Sequence, residues 1–330
     1  VRIDRVAALL LAAAALPAAA APPIESVTGA PASTEPAAPT RDVILRFAWP
    51  RSLEAQVVYR RVFARTDGAD RSFTARYTEK ATRGEDDIRI ASSATRWEGE
   101  VLYPADEVRP AMRGSEAVIQ RVGVDGAFAG LENGDALRPV LQRIYEAAGL
   151  SDEESDQAIE RVEAAMVEEA RAGWNLAVGF WIGAELDFGR AWEKDVDAPV
   201  WLVPALVVKN RFRMEARRRV PCSASERRAR CVELTLHSEP DRAALPALTR
   251  AIVAKLAGEG QALPRGEISE VGLSTDLTLV TEPSTLVPHN VVWRRAVHAT
   301  VVGDDGTQEL EDVERTEWSW SYVRRGPPVR

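Results

Sequence analysis

SDEESDQAIERVEAAMVEEARAGWNLAVGFWI, residues 151–182, carries one apolar stripe: Ile159, Val162, Met166, Ala170, Trp174, Ala177 or Val178, and Trp181. Spacings of three and four predict a helix of about 30 residues, roughly 45 Å long. Ser151 and Glu154 stand in capping-box positions, the hydroxyl taking a backbone N–H while the carboxylate reaches back. Gly173 and Gly179 are places to bend it or to admit close backbone approach. The first half of the stretch is acidic on all faces but one, and the second half is apolar nearly all round. Such a helix enters a core at one end, so Trp174, Val178 and Trp181 are expected to be buried by a sheet, with 152–160 in solvent. Leu137, Val140, Leu141, Ile144 and Tyr145 predict a preceding helix, with Asp135 as N-cap and Gly149 as stop. Gly149-Leu150 joins the two into a helical hairpin.

On both sides of this hairpin the period is two. Val43, Leu45, Phe47 and Trp49 alternate up to Pro50, and 55–64, 71–81 and 87–94 read as further strands. Asp125-Gly126 turns 118–124 into 127–131, with Gly suited to the left-handed turn position. Beyond residue 199, Val208, Phe212, Met214 and Ala216 alternate with Lys209, Arg211, Arg213, Glu215 and Arg217, and Val232, Leu234 and Leu236 answer them. A third helix is expected over 240–256, followed by strands around 271–279, 291–301 and 318–322. The fold class is α+β: a curved antiparallel sheet, or half-barrel, with the inserted helical hairpin on its concave side.

The chain has 330 residues, 45% hydrophobic and 28% charged, an ordinary globular composition that excludes collagen, coiled-coil and disordered classes. Arg2 and Arg5, the apolar run 6–16 and Ala18-Ala19-Ala20 have the layout of a secretory signal. The expected organisation is a signal peptide at 1–20, an Ala/Pro-rich flexible linker at 21–41, one α+β domain at 42–325 and a disordered tail at 326–330. Val1 suggests a GTG start, and 38 arginines against four lysines suggest a GC-rich bacterial gene. The expected location is periplasmic or extracellular, with no stable membrane insertion once the signal is removed. Net charge is −8, which argues against a nucleic-acid partner.

Cys222 and Cys231 should be bonded in an oxidising compartment. Their parities differ, so a straight ladder would send them to opposite faces; a bulge at Pro221 would reconcile them. His237, His289 and His298 show no metal-ligand spacing, Gly272-Leu273-Ser274-Thr275-Asp276 lacks the last glycine of a nucleophile elbow, and no cofactor motif occurs. Asp86/Asp87, Glu185/Asp187 and Asp195/Asp197 are carboxylate pairs of the sort hydrolases use. Residues 209–230 carry a net charge of +7, making Arg211, Arg213, Arg217 and Arg219 a candidate anion site; 152–170, at −7, could instead neutralise them. Trp174, Val178, Trp181, Trp293, Trp318 and Trp320 could line an apolar pocket or form the core.

Signal, linker, antiparallel strands and helical hairpin together resemble, by layout over 42–325, the half-barrel carriers of the bacterial periplasm that hold lipids or lipoprotein acyl chains. The resemblance implies non-enzymatic binding of a lipid or other apolar ligand, or of an envelope protein, and assigns no residue a role. The competing classes are a hydrolase with a carboxylate/His site and a purely structural envelope protein.

Overall fold

The computed structural model describes residues 42–65, 71–99, 115–200, 202–224, 226–258, 266–304 and 306–323. The expected signal peptide, linker and tail lie outside them. The N-terminal half supplies β1 (Val43–Ile44), β2 (Ser52–Arg65), β3 (Arg71–Arg83), β4 (Asp87–Gly99), β5 (Ile119–Gly123) and β6 (Phe128–Glu132). The helical hairpin, α1 (Arg138–Ala147) and α2 (Asp152–Ala177), follows. The C-terminal half supplies β7 (Glu185–Leu186), β8 (Ala191–Val200), β9 (Val203–Val220), β10 (Cys231–Pro240), α3 (Leu245–Gly258), β11 (Glu267–Thr281), β12 (Pro288–Gly303) and β13 (Gly306–Tyr322).

Eleven strands form one open, curved antiparallel sheet in the order β6-β5-β4-β3-β2-β13-β12-β11-β10-β9-β8. Two meanders meet where β13 pairs with β2, with Trp318 opposite Tyr59 and Trp320 opposite Val57. The register puts Val57, Tyr59 and Arg61 of β2, Ala75, Tyr77 and Glu79 of β3, and Thr316, Trp318 and Trp320 of β13 on the concave face. Leu234, Leu236, Leu277, Leu279 and Val291 continue that face and pack in one cluster with Trp174, Val178 and Trp181. Helix α3 covers the far end of the same strands, where Leu248 and Ile252 meet Val271 and Leu273.

Several local expectations shift. Ser151 does cap α2 through a complete capping box, but α2 ends at Ala177 and a 3-10 turn, Gly179–Trp181, carries the chain on. The limit is local: a β-carbon at Gly179 would collide with the Asn175 side chain. Asp135 lies within a 3-10 turn and does not cap α1, which starts at Arg138 with Pro at its first turn. The alternating segment 43–49 does not join the large sheet. Val43–Ile44 pairs with β7, and the next amides donate to Ala184, Pro283 and Thr285 carbonyls at 2.9, 2.9 and 3.2 Å. The alternation reflects a segment whose odd side chains enter the core from outside the sheet. Strand β8 had no sequence signal: its exposed, charged 193–195 suits an edge and carries no apolar alternation.

The disulfide is present, with Cα atoms 5.1 Å apart. The hairpin does carry a bulge, though not at Pro221. Glu233 faces Arg218 while Leu234 faces Ala216, so Arg217 is the extra residue. This shift pairs Cys231 with Val220, and Cys222, two residues on, then points the same way.

Trp181 is wholly buried and donates Nε1 to the Leu176 carbonyl at 2.8 Å, whereas Glu153 is exposed. Trp181→Ala should cost about 3–5 kcal/mol in denaturant unfolding. Glu153→Ala should cost less than about 0.5 kcal/mol.

Candidate functional site

Helix α2 does not seal the concave face along its whole length. Towards the N-terminal meander it presents Ala170, Gly173 and Ala177, small residues three and four apart, and a cavity of about 540 Å³ remains between them and β2–β4. Drug-sized ligand sites span roughly 300–1,000 Å³. A diagonal row of rings forms the floor: Trp318 to Tyr59 at 5.2 Å, Tyr59 to Phe73 at 5.7 Å and Phe73 to Trp97 at 5.9 Å between centroids. Phe47, Trp49 and Trp174 stack against one another at the end wall, and Trp174 is fixed by its Nε1–H bond to the Gly126 carbonyl at 2.8 Å. Gly126 occupies the turn position expected of it, at φ +92°, and a β-carbon there would strike Phe47.

Few polar groups face this space. Glu79 accepts from Trp320 Nε1 at 3.0 Å. Burial pushes its carboxyl up to about 7, and the single hydrogen bond from Trp320 only partly opposes that. Burial, and then the neighbouring Glu79, raises Tyr77 well above the ordinary tyrosine range, so its hydroxyl keeps its proton. On the opposite wall Arg61 lies 3.8 Å from Glu169 of α2 and bonds Glu314, which also bonds Arg295. Arg61, Arg295 and Glu314 are all buried. Arg295 further lies over the Trp293 ring at 4.3 Å, and burial depresses its pKa despite Glu314.

Of the residues singled out from sequence, Trp174, Val178, Trp318 and Trp320 line the cavity. Trp181 and Trp293 do not: Trp181 is core, and Trp293 stands across α2 beside a small void of about 90 Å³. Tyr59, Arg61, Phe73, Tyr77, Glu79 and Trp97 escaped sequence reading. A signal existed, since Arg61 and Glu79 fall in phase with the apolar residues of β2 and β3, where a surface charge would fall out of phase.

The proposed anion site is not assembled. Arg211, Arg213 and Arg217 are paired off within the sheet, with Asp195 at 3.5 Å, Glu193 at 3.3 Å and Glu215 at 3.4 Å. Arg219 reaches the Asp42 carbonyl and lies over Phe188. Nor does the acidic start of α2 neutralise them, because Asp156 and Glu163 bind Arg138 of α1. Cross-strand neighbours are closer than any helix on the other face.

A second cleft, about 810 Å³, adjoins the cavity at Trp320 and is edged by Arg227, Arg228, Arg230, Glu282, His289 and Tyr322. His289 Nε2 lies 3.4 Å from Glu282, and its ring meets Tyr322 edge-on at 5.1 Å. Among the described residues no hydroxyl hydrogen-bonds to His289, so the base–nucleophile contact of a hydrolase is not assembled there. Cys222, Cys231 and His289 bring ligand-type atoms within 4.8 Å of one another, but the two sulfurs are bonded to each other and offer no thiolate. The carboxylate pairs are dispersed: Asp87 binds Arg121 at 2.8 Å and Asp195 binds Arg211.

No protein family matches the chain by sequence, and no curated protein does. Among solved structures, one concerned with lipid–protein interactions in lipovitellin is similar at 7% identity and a TM-score of 0.42, over 86% of this chain. This chain spans about a quarter (26%) of that one, and nothing about the present site follows from the likeness. No described helix is long and apolar enough to cross a membrane.

Two outcomes test this electrostatic account. Glu314→Ala leaves two buried guanidinium groups uncompensated and should cost about 3–5 kcal/mol, and replacing Arg61 and Arg295 by Met in the same chain should recover much of it. For Glu79, folding lifts the carboxyl from 4.5 to about 7, so between those values the native state holds a proton the unfolded chain has lost. Its contribution to stability is therefore greatest below the lower value and falls as pH rises to the upper one. Wild type and Glu79→Gln should melt alike near about pH 4.5, and the variant should melt higher at about pH 8.

Proposed function

We propose that this chain is an exported, non-enzymatic carrier that holds the apolar portion of a lipid-like ligand between α2 and the concave face of β2–β4. The observation that carries the reading is the 540 Å³ aromatic-floored cavity with its few inward polar groups. Burying hydrocarbon there removes apolar surface from water at about 25 cal/mol per Å². Glu79, Tyr77 and Trp320 give the ligand a polar contact without a fixed charge at low pH. The Cys222–Cys231 bond supports an oxidising compartment, in keeping with the signal-like N-terminus.

Gly173 is the position for a test, because it lines the cavity and a β-carbon there would meet no heavy atom within 4 Å. Gly173→Phe should fill the space and weaken binding of a fluorescent fatty-acid analogue at least about tenfold, the scale of one lost buried apolar contact. Gly173→Ala should bind as wild type does and be more stable by about 0.5–1 kcal/mol, from helix propensity. Undiminished binding by the Phe variant, or no binding by wild type, would show the reading to be wrong.

A further inference from the structure

We propose that the cleft beyond Trp320 is a head-group site, and that Arg227 and Arg228 take the carboxylate or phosphate of an amphiphile whose chain lies in the cavity. The inference rests on the carrier reading and adds the ligand's class and orientation. Three observations lead to it.

The first is continuity. Trp320 lines both spaces, while Trp49 and Pro288 of the cavity wall alternate in sequence with Ala48, Pro50, Val287 and His289 of the cleft. The partition between them is therefore one residue thick. A ligand passing Trp320 has its chain among the floor rings and its head in the cleft.

The second is the charge balance of the cleft. Both oxygens of Glu226 accept from Arg230 at 3.0 Å. Glu282 accepts from Thr285 at 3.0 Å and is held below the ordinary carboxylate range chiefly by His289. The acids of the cleft are thus already engaged, whereas Arg227 and Arg228, both exposed, have no carboxylate in reach among the described residues. In a chain of net charge −8 whose other hairpin arginines are paired across strands, this leaves a local positive excess at one opening.

The third is placement. The loop bearing both arginines is closed at its base by Cys222–Cys231, which holds it at the cleft. Guanidinium forks match the planar oxygens of carboxylate and phosphate.

The test compares palmitate with hexadecanol, which share a chain and differ in head, on the full chain at low ionic strength. Wild type should prefer palmitate by about tenfold or more, the scale of charge-assisted hydrogen bonds. Arg227→Gln with Arg228→Gln should abolish that preference and leave hexadecanol affinity unchanged. Arg211→Gln with Arg213→Gln removes the same charge from the other side of the sheet and should change neither. Inorganic phosphate at the probe's concentration should not displace palmitate. Equal binding of the two probes by wild type, a preference surviving in the 227/228 variant, or the same loss in the 211/213 variant would each overturn the head-group site while leaving the carrier reading intact. Displacement by free phosphate would reduce the cleft to a simple anion site and overturn its link to the cavity. Failure of wild type to bind either probe would overturn both readings.

Discussion

Strands β6 and β8 lie at opposite edges of one sheet, and the chain between them has to cross its face. Everything distinctive about the molecule depends on that crossing. Ten inter-strand spacings make a flat sheet about 48 Å wide, and the 26 residues of α2 span about 39 Å, so the helix bridges a curved sheet nearly from rim to rim. Its ends are secured differently. Arg138 of α1 holds the acidic start through Glu163, and Trp174 is tied to the β5–β6 turn. Between those anchors the side facing the N-terminal meander is built of small residues, and there the bridge stands clear of the sheet.

The second constraint is the ionic group of Arg61, Arg295 and Glu314, set where the two meanders join. Burying three charges is expensive in solvation and gives little net stability over apolar side chains. Its consequence is for register. A one-residue slip of β13 against β2 would turn Glu314 outward and strand two guanidinium groups in the interior. The same junction places Trp318 and Trp320 against Tyr59 and Glu79, so the pairing that closes the two halves also builds the floor of the cavity.

Local chemistry was readable where it was self-contained. Ser151 and Glu154 are three residues apart and form their capping box whatever surrounds them, and Asp125-Gly126 makes its turn for the same reason. The Cys222–Cys231 bond follows from proximity in sequence, and the parity of the hairpin required a bulge somewhere in it. Where the bulge falls depends on cross-strand fit, and Arg217 rather than Pro221 is the extra residue. The 43–49 segment shows the limit of periodicity: alternating burial looks the same whether backbone partners come from a ladder or from two separate loops.

The sequence by itself determined the class of fold, the polar-to-apolar course of α2, the sheet-burying role of Trp174 and Trp181, and the disulfide, because each rests on residues close in the chain or on a period along it. Tertiary structure alone decided the strand order, the cavity and the pairing of charges. Glu79 and Trp320 are 241 residues apart, and Arg61 and Glu314 meet only after β13 docks on β2. Whether an inward aromatic fills a core or lines a space depends on the volume of what packs opposite. Here that volume is set by Ala170, Gly173 and Ala177 on a helix that could bridge the sheet only once both edges were in place.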